Sequence, residues 1–280
     1  MKVYFPTCFF SKALTNSKFT NNARAAFDWN PDTYEASNTD ATVSVTMDRD
    51  NTGIDLGSGF LPHTINFNAV VFPYLLTGWL GGSASISFTT YSTSTFTGGT
   101  SGHGVTGYFT QVGPKLFHIN QLNAESRRYV RWTFNTSGGL VAPAIVMCGW
   151  MASIANFNWN DDSAYYQLGL SIVAGDGMRQ ALPTRSGVYR VRFITFEYIS
   201  EADFTVLANG FKSCLGSALP FFLMEDDAGT PNVDADLYRF ADNGFRYTKP
   251  AAELYTVTLM IEEYPRIPVA ATGTAFRYPF

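Results

Sequence analysis

Leu254-Tyr255-Thr256-Val257-Thr258-Leu259-Met260-Ile261-Glu262-Glu263 alternates with a period of two. Leu254, Thr256, Thr258 and Met260 fall on one face, and Tyr255, Val257, Leu259 and Ile261 on the other. That is the period of a strand with one buried face. Working back along the chain, residues 188–198 form its longest alternating segment, a second strand. Between the two lies Ala202-Asp203-Phe204-Thr205-Val206-Leu207-Ala208-Asn209-Gly210-Phe211, with a different period. Phe204, Leu207, Ala208 and Phe211 stand at i, i+3, i+4 and i+7, the apolar stripe of a short helix that packs on the sheet of its two neighbours. Ser200 is placed to cap this helix, and Asp203 puts an acid in its first turn, where the helix dipole favours it. The apolar run Leu219–Met224 then leads to an acidic turn at Glu225-Asp226-Asp227. Tyr166 to Val173 reads as a further strand, followed by a turn at Gly175-Asp176-Gly177. Residues 156–280 are therefore expected to form an α+β module.

The chain before this module reads as all-β. Ala41–Met47 alternates strictly, with Val43, Val45 and Met47 expected on one buried face, and Ser83–Tyr91 repeats the pattern. Turn chemistry separates the runs at Asp50-Asn51-Thr52-Gly53, Gly57-Ser58-Gly59, Gly81-Gly82, Gly98-Gly99 and Ser137-Gly138-Gly139. Many short strands at such spacing predict a β-sandwich or jelly roll over residues 21–155. Residues 1–20 read as an extended arm, aromatic and then polar, of the kind that lies on a neighbour or on a later part of the same chain. The polar run Asn156–Asp162 is read as a break and the domain boundary. No internal repeat relates the halves.

The chain has 280 residues, 46% hydrophobic, 16% aromatic and only 15% charged, enough to fill a large core and low in charge for a surface wholly in water. A net charge of −4 gives no basic stripe for nucleic acid. The densest basic cluster, Arg127-Arg128-Val130-Arg131, falls in a strand-like segment. Cys8, Cys148 and Cys214 form no metal or redox spacing and read as reduced, mostly buried thiols of a protein made in a cytoplasm. No apolar run suits a signal peptide or a membrane-spanning helix.

The search for reaction chemistry finds little, and no catalytic or metal residue is assigned. His63, His103 and His118 are the three histidines, and no nucleophile elbow accompanies them. His103 is read as lying in a flexible loop. Asp161-Asp162, Glu225-Asp226-Asp227 and Glu262-Glu263 are adjacent pairs and triples, not facing carboxylates as glycoside hydrolysis needs. Asp28, Asn30, Asp32 and Thr33 lack the carboxylate density of a calcium loop and read as a hydrogen-bonded turn. Trp79 and Tyr91 could stack on sugar rings, or serve a core or an interface. The glycine pairs lack a nucleotide fingerprint. No enzyme activity, cofactor, nucleic-acid partner or membrane insertion is expected.

Two resemblances join these readings. The order strand, capped helix, Pro220-Phe221-Phe222 strand and closing strand ending in Glu262-Glu263 resembles the C-terminal modules of phage distal-tail and tail-tip proteins. Ala26-Phe27-Asp28 with Thr33, then Ile54-Asp55-Leu56-Gly57, then Arg128-Tyr129-Val130-Arg131, resembles galactose-binding-like, discoidin-type jelly rolls. The sequence departs from that family at Glu35, where a tryptophan is usual, and its sugar-contacting loops are not recognisable. Together the resemblances imply a mainly β protein, a galactose-binding-like jelly roll plus a smaller α+β tail-ring module. They imply a virion component of the tail tip or baseplate, made in the host cytoplasm. Its copies would form a ring, hexameric first and trimeric second, joining the tail tube protein to hub and tail-fibre proteins. The alternative they imply is a lectin-like receptor-recognition protein making weak glycan contacts.

Overall fold

A computed structural model describes residues 1–7, 13–15, 42–48, 64–71, 85–91, 100–105, 117–126, 129–135, 145–154, 158–167, 170–173, 179–182, 188–242 and 244–263. The protein is mainly β. In chain order its strands are β1 (Lys2–Pro6), β2 (Ala13–Thr15), β3 (Thr42–Asp48), β4 (Thr64–Val71), β5 (Ser85–Tyr91), β6 (Thr100–Val105), β7 (Phe117–Ser126), β8 (Tyr129–Asn135) and β9 (Ile145–Ser153). There follow β10 (Asn158–Gln167), β11 (Leu170–Val173), β12 (Arg179–Leu182), β13 (Val188–Ser200), helix α1 (Glu201–Ser213), β14 (Phe221–Met224), the single turn α2 (Pro231–Asp234), β15 (Ala235–Phe240), β16 (Arg246–Ala251) and β17 (Leu254–Glu263).

Among the described residues these strands form three sheets. The largest runs β10-β13-β17-β15-β14-β1-β9-β4-β7, with β16 paired to β17 beside that path. A second runs β2-β3-β8-β5-β6, and β11 with β12 makes a separate hairpin. Every pairing is antiparallel. The expected strand at 41–47 is β3, and its backbone pairs Val43, Val45 and Met47 with Phe134, Trp132 and Val130 of β8. The side chains of β3 lie outside the described residues, as do Ile54–Gly57.

β1 lies between β9 and β14, so one ladder is continuous from residues that precede the jelly-roll motifs to residues that follow them. Its sequence explains the position. Val3, Tyr4 and Phe5 are all at most 1% exposed, as a strand covered on both faces requires. On one face the Tyr4 ring meets Phe67 edge-on at 5.4 Å and its hydroxyl accepts from Gln121 Nε2 at 2.7 Å. On the other, Phe5 packs against Trp150 and Phe221 at ring-centroid distances of 5.0 and 5.3 Å. The register sets Pro6 opposite Gly149, where a side chain would run into the Phe5 carbonyl.

α1 covers the Phe5 face. Ser200 caps it as expected: its Oγ accepts from the Asp203 N–H at 3.2 Å and donates to the Asp203 carboxylate at 3.0 Å. The helix is a turn longer than its apolar stripe predicts. Its buried line is Leu207, Gly210 and Ser213, because the Phe5 ring comes down on Gly210 and Trp150 Nε1 donates to Ser213 Oγ at 3.2 Å. Phe204 and Phe211 flank that line, half-buried. In β17, Tyr255, Val257, Leu259 and Ile261 are buried as the alternation requires. Core residues from both parts of the chain, including Trp132, Val70, Phe222 and Ile194, belong to one contiguous cluster.

Three local readings change. Of the polar run Asn156–Asp162, Asn158–Asp162 lie not in a break but in β10, a strand paired along its length with β13, and residues 156 and 157 lie outside the described residues. Among the described residues β10 has no partner on its other side, and an edge strand tolerates such polarity. Tyr166 to Val173 is not one strand, since β10 ends at Gln167 and β11 begins at Leu170. His103 lies in β6, opposite Phe88, where small residues on either side pair without a helical or alternating signal.

Candidate functional site

The features that set this molecule apart gather on four strands at one end of the large sheet: β10, β13, β17 and β16. α1 covers one face through Leu207 and Phe204. On the opposite face Thr195 and Thr258 meet across the ladder, hydroxyl to hydroxyl, at 3.4 Å in an exposed position. Residues of β16 are exposed throughout. Among the described residues β16 pairs with β17 alone and β10 with β13 alone, so each presents an outer strand edge.

The exposed large hydrophobic residues described are Tyr198 (62%), Tyr247 (54%) and Leu254 (37%), and all three lie on these strands. Tyr198 sits where the β13–β17 register shifts between Phe196 and Ile199, with φ of 57°. Tyr247 belongs to an aromatic cluster that seats the β16–β17 hairpin on the start of α1. Phe204 stacks on Tyr255 with centroids 4.1 Å apart and meets Tyr247 edge-on at 4.8 Å. Lys249 lies over the Tyr255 ring at 5.0 Å, and its hydrogen bond with Tyr255 raises the Lys249 pKa.

Within β13, Arg192 is 1% exposed. Its Nη1 donates to Glu225 at 2.5 Å and to the Tyr238 hydroxyl at 3.2 Å. Burial pushes the Tyr238 phenol up, against the lowering effect of the hydrogen bond from Arg192. The acidic turn 225–227 thus answers a buried cation. Its other members are engaged too: Asp227 accepts from Ser153 Oγ at 2.9 Å, and Asp226 accepts from the Ala228 N–H at 2.9 Å. Glu262 pairs with Arg239.

The residues considered from sequence are scattered. His118 is in β7, where burial lowers its pKa to about 4. Tyr91 ends β5 with the Arg131 guanidinium 5.2 Å from its ring centroid. Asp161 and Asp162 are in β10. Cys148 and Cys214 are buried free thiols, and burial holds Cys214 well above the usual range. His63, Trp79, Cys8 and the Asp28–Thr33 turn lie outside the described residues. Among the described residues no group of three His, Cys, Asp or Glu could hold a metal, and no helix is long and apolar enough to cross a membrane. Sequence reading missed β16 and Tyr198. The alternation of Arg246-Tyr247-Thr248-Lys249 before Pro250 was the available signal for β16; nothing local marks the bulge.

No protein-family model matches the chain, and no curated protein matches it. Similar architecture is found among solved carbohydrate-binding modules and lectins. A chitosan-binding module of a chitosanase/glucanase from Paenibacillus sp. IK-5 is 15% identical, with a TM-score of 0.37 over 52% of this chain and 99% of its own. A CBM32 module of a family 31 glycoside hydrolase from Clostridium perfringens is 14% identical, with a TM-score of 0.35 over 49% of this chain and 89% of its own. A fucolectin from striped bass serum, Morone saxatilis, is 10% identical, with a TM-score of 0.38 over 94% of this chain and 99% of its own.

Proposed function

We propose that this chain is a non-catalytic structural protein whose copies assemble head to tail into a closed ring, as a distal-tail component of a phage virion would. The observation that carries the reading is the strip β10-β13-β17-β16 with an open edge at each side among the described residues. Its strands alternate in direction and are even in number. A copy related by rotation therefore brings its β10 beside β16 in the antiparallel sense that the sheet already uses. β16 carries Arg246 and Lys249 in its sequence, and β10 carries Asp161 and Asp162, so opposite charges fall on the two edges. Pro250 removes one donor from β16 and confines pairing to Arg246–Lys249. Unlike edges joined head to tail close into rings when the rotation permits. The tail setting comes from the order of the C-terminal elements, and the neighbours in that setting are tube and hub proteins.

Sedimentation of the full-length chain tests the proposal. A discrete oligomer, dissociating when Arg246 and Lys249 are both changed to Glu, is expected. A chain that remains monomeric at high concentration, and binds neither tube nor hub proteins, overturns it.

A second reading is glycan recognition by residues 21–155, favoured by the discoidin-type motifs at Ala26–Asp28, Ile54–Gly57 and Arg128–Arg131. Chitosan oligomers and Lewis b antigen, the ligands named for structures of similar architecture, are the first probes to titrate into the full chain. Saturable binding by calorimetry would establish this reading, and silence across a glycan array would remove it.

A further inference from the structure

We infer that Tyr198 is an anchor of the contact between copies, held in a strained backbone conformation for that purpose. The inference rests on the ring reading given above and names a residue that carries it. Tyr198 has φ of 57° and is 62% exposed. A bulky aromatic residue is a rare occupant of left-handed backbone, and glycine or asparagine satisfies it with less strain. The bulge itself has a local purpose. It returns Ile199 to the buried face and leaves Ser200 free to cap α1. Neither purpose needs an aromatic ring, and the residue is 62% exposed. A bulge also re-aims the side chain it carries, and strain of this kind gathers at functional sites.

The surroundings identify the occupant. The other exposed large hydrophobic residues described, Tyr247 and Leu254, lie on the same four strands, and Leu254 pairs with Ser200. These strands are the ones whose outer edges, unpaired among the described residues, and whose opposite charges suit a second copy. Tyrosine is among the residue types that concentrate binding energy at protein interfaces.

The experiment compares wild type, Tyr198→Gly and Tyr198→Asn as full-length chains, by sedimentation equilibrium and by chemical denaturation of the dissociated chain. Both variants are expected to be as stable as wild type or more so, with self-association weakened at least tenfold. Tyr198→Phe should keep most of the affinity. Variants that assemble like wild type overturn the inference and leave the ring reading standing. Variants that fail to fold or lose stability also overturn it, since the ring would then serve its own domain. A monomeric wild type overturns the ring reading and this inference with it.

Discussion

Phe5, near the start of the chain, sets its ring against Gly210 of α1 so closely that a β-carbon there would stand 2.2 Å from Cζ. Phe5 is 1% exposed and packed against Trp150 and Phe221, so moving the ring disturbs both neighbours. Alanine is the better helix former by about 1 kcal/mol. Gly210→Ala is nevertheless expected to destabilise the protein by about 1–3 kcal/mol, through overpacking. In urea denaturation, Phe5→Leu combined with Gly210→Ala should lose less than the sum of the single changes. Strict additivity would show that the two residues do not press on one another.

Arg192 and Glu225 differ in what their removal leaves behind. Glu225→Ala removes the carboxylate that meets a guanidinium 1% exposed, and is expected to cost roughly 2–4 kcal/mol. Arg192→Met removes the charge and keeps the bulk, so it should cost less despite deleting the deeper residue. Arg192→Met with Glu225→Ala should match Arg192→Met alone. Equal losses for the two single variants would mean that Arg192 finds another counterion.

His118 gives a pH dependence of definite sign. Its folded pKa is held at about 4 against 6.5 for the free side chain, so the unfolded chain takes up a proton first. The folded state is then unpenalised above about pH 6.5 and loses stability as the pH falls from there towards 4, by an amount on the order of 3 kcal/mol in full. His118→Gln should flatten the difference in stability between pH 6.5 and 4 relative to wild type. Parallel pH curves for the two proteins would show that His118 titrates normally.

The β16–β17 turn offers a stabilising change. Ala251 pairs with Leu254, leaving Ala252 and Glu253 as the loop, and Glu253 has φ of 61°. Positive φ at the second loop position suits glycine. Glu253→Gly should raise stability by about 0.5–1 kcal/mol. A lower melting temperature would mean that the carboxylate, close to Lys249, matters more than the turn.

Much of the large sheet could be read before any coordinates, because its strands carry their own period. β17 begins and ends where the Leu254–Glu263 alternation does, and Ser200 announces the helix through cap chemistry alone. The rest depends on partners distant in sequence. Gly210 and Ser213 are buried in α1 because Phe5 and Trp150 lie there, and no helical stripe could reveal it. β10 carries Asn158, Asn160, Asp161 and Asp162 because among the described residues one side of it is unpaired, so its polarity mimicked a linker. The strip with its open edges was equally hidden. Tyr198 is one aromatic among many in the sequence, and only its backbone angle and exposure distinguish it.

A strand near the chain start that completes its ladder only with residues 221–224 has a consequence for synthesis. On the ribosome, β1 emerges long before β9, and β14 is later still. Through most of translation an apolar segment waits with at least one side of its backbone unmatched. Such a segment invites wrong pairings with other nascent chains. This predicts that yield will fall steeply with expression rate and temperature even if the finished protein is very stable, and that co-expressed holdase chaperones will help more than any surface substitution.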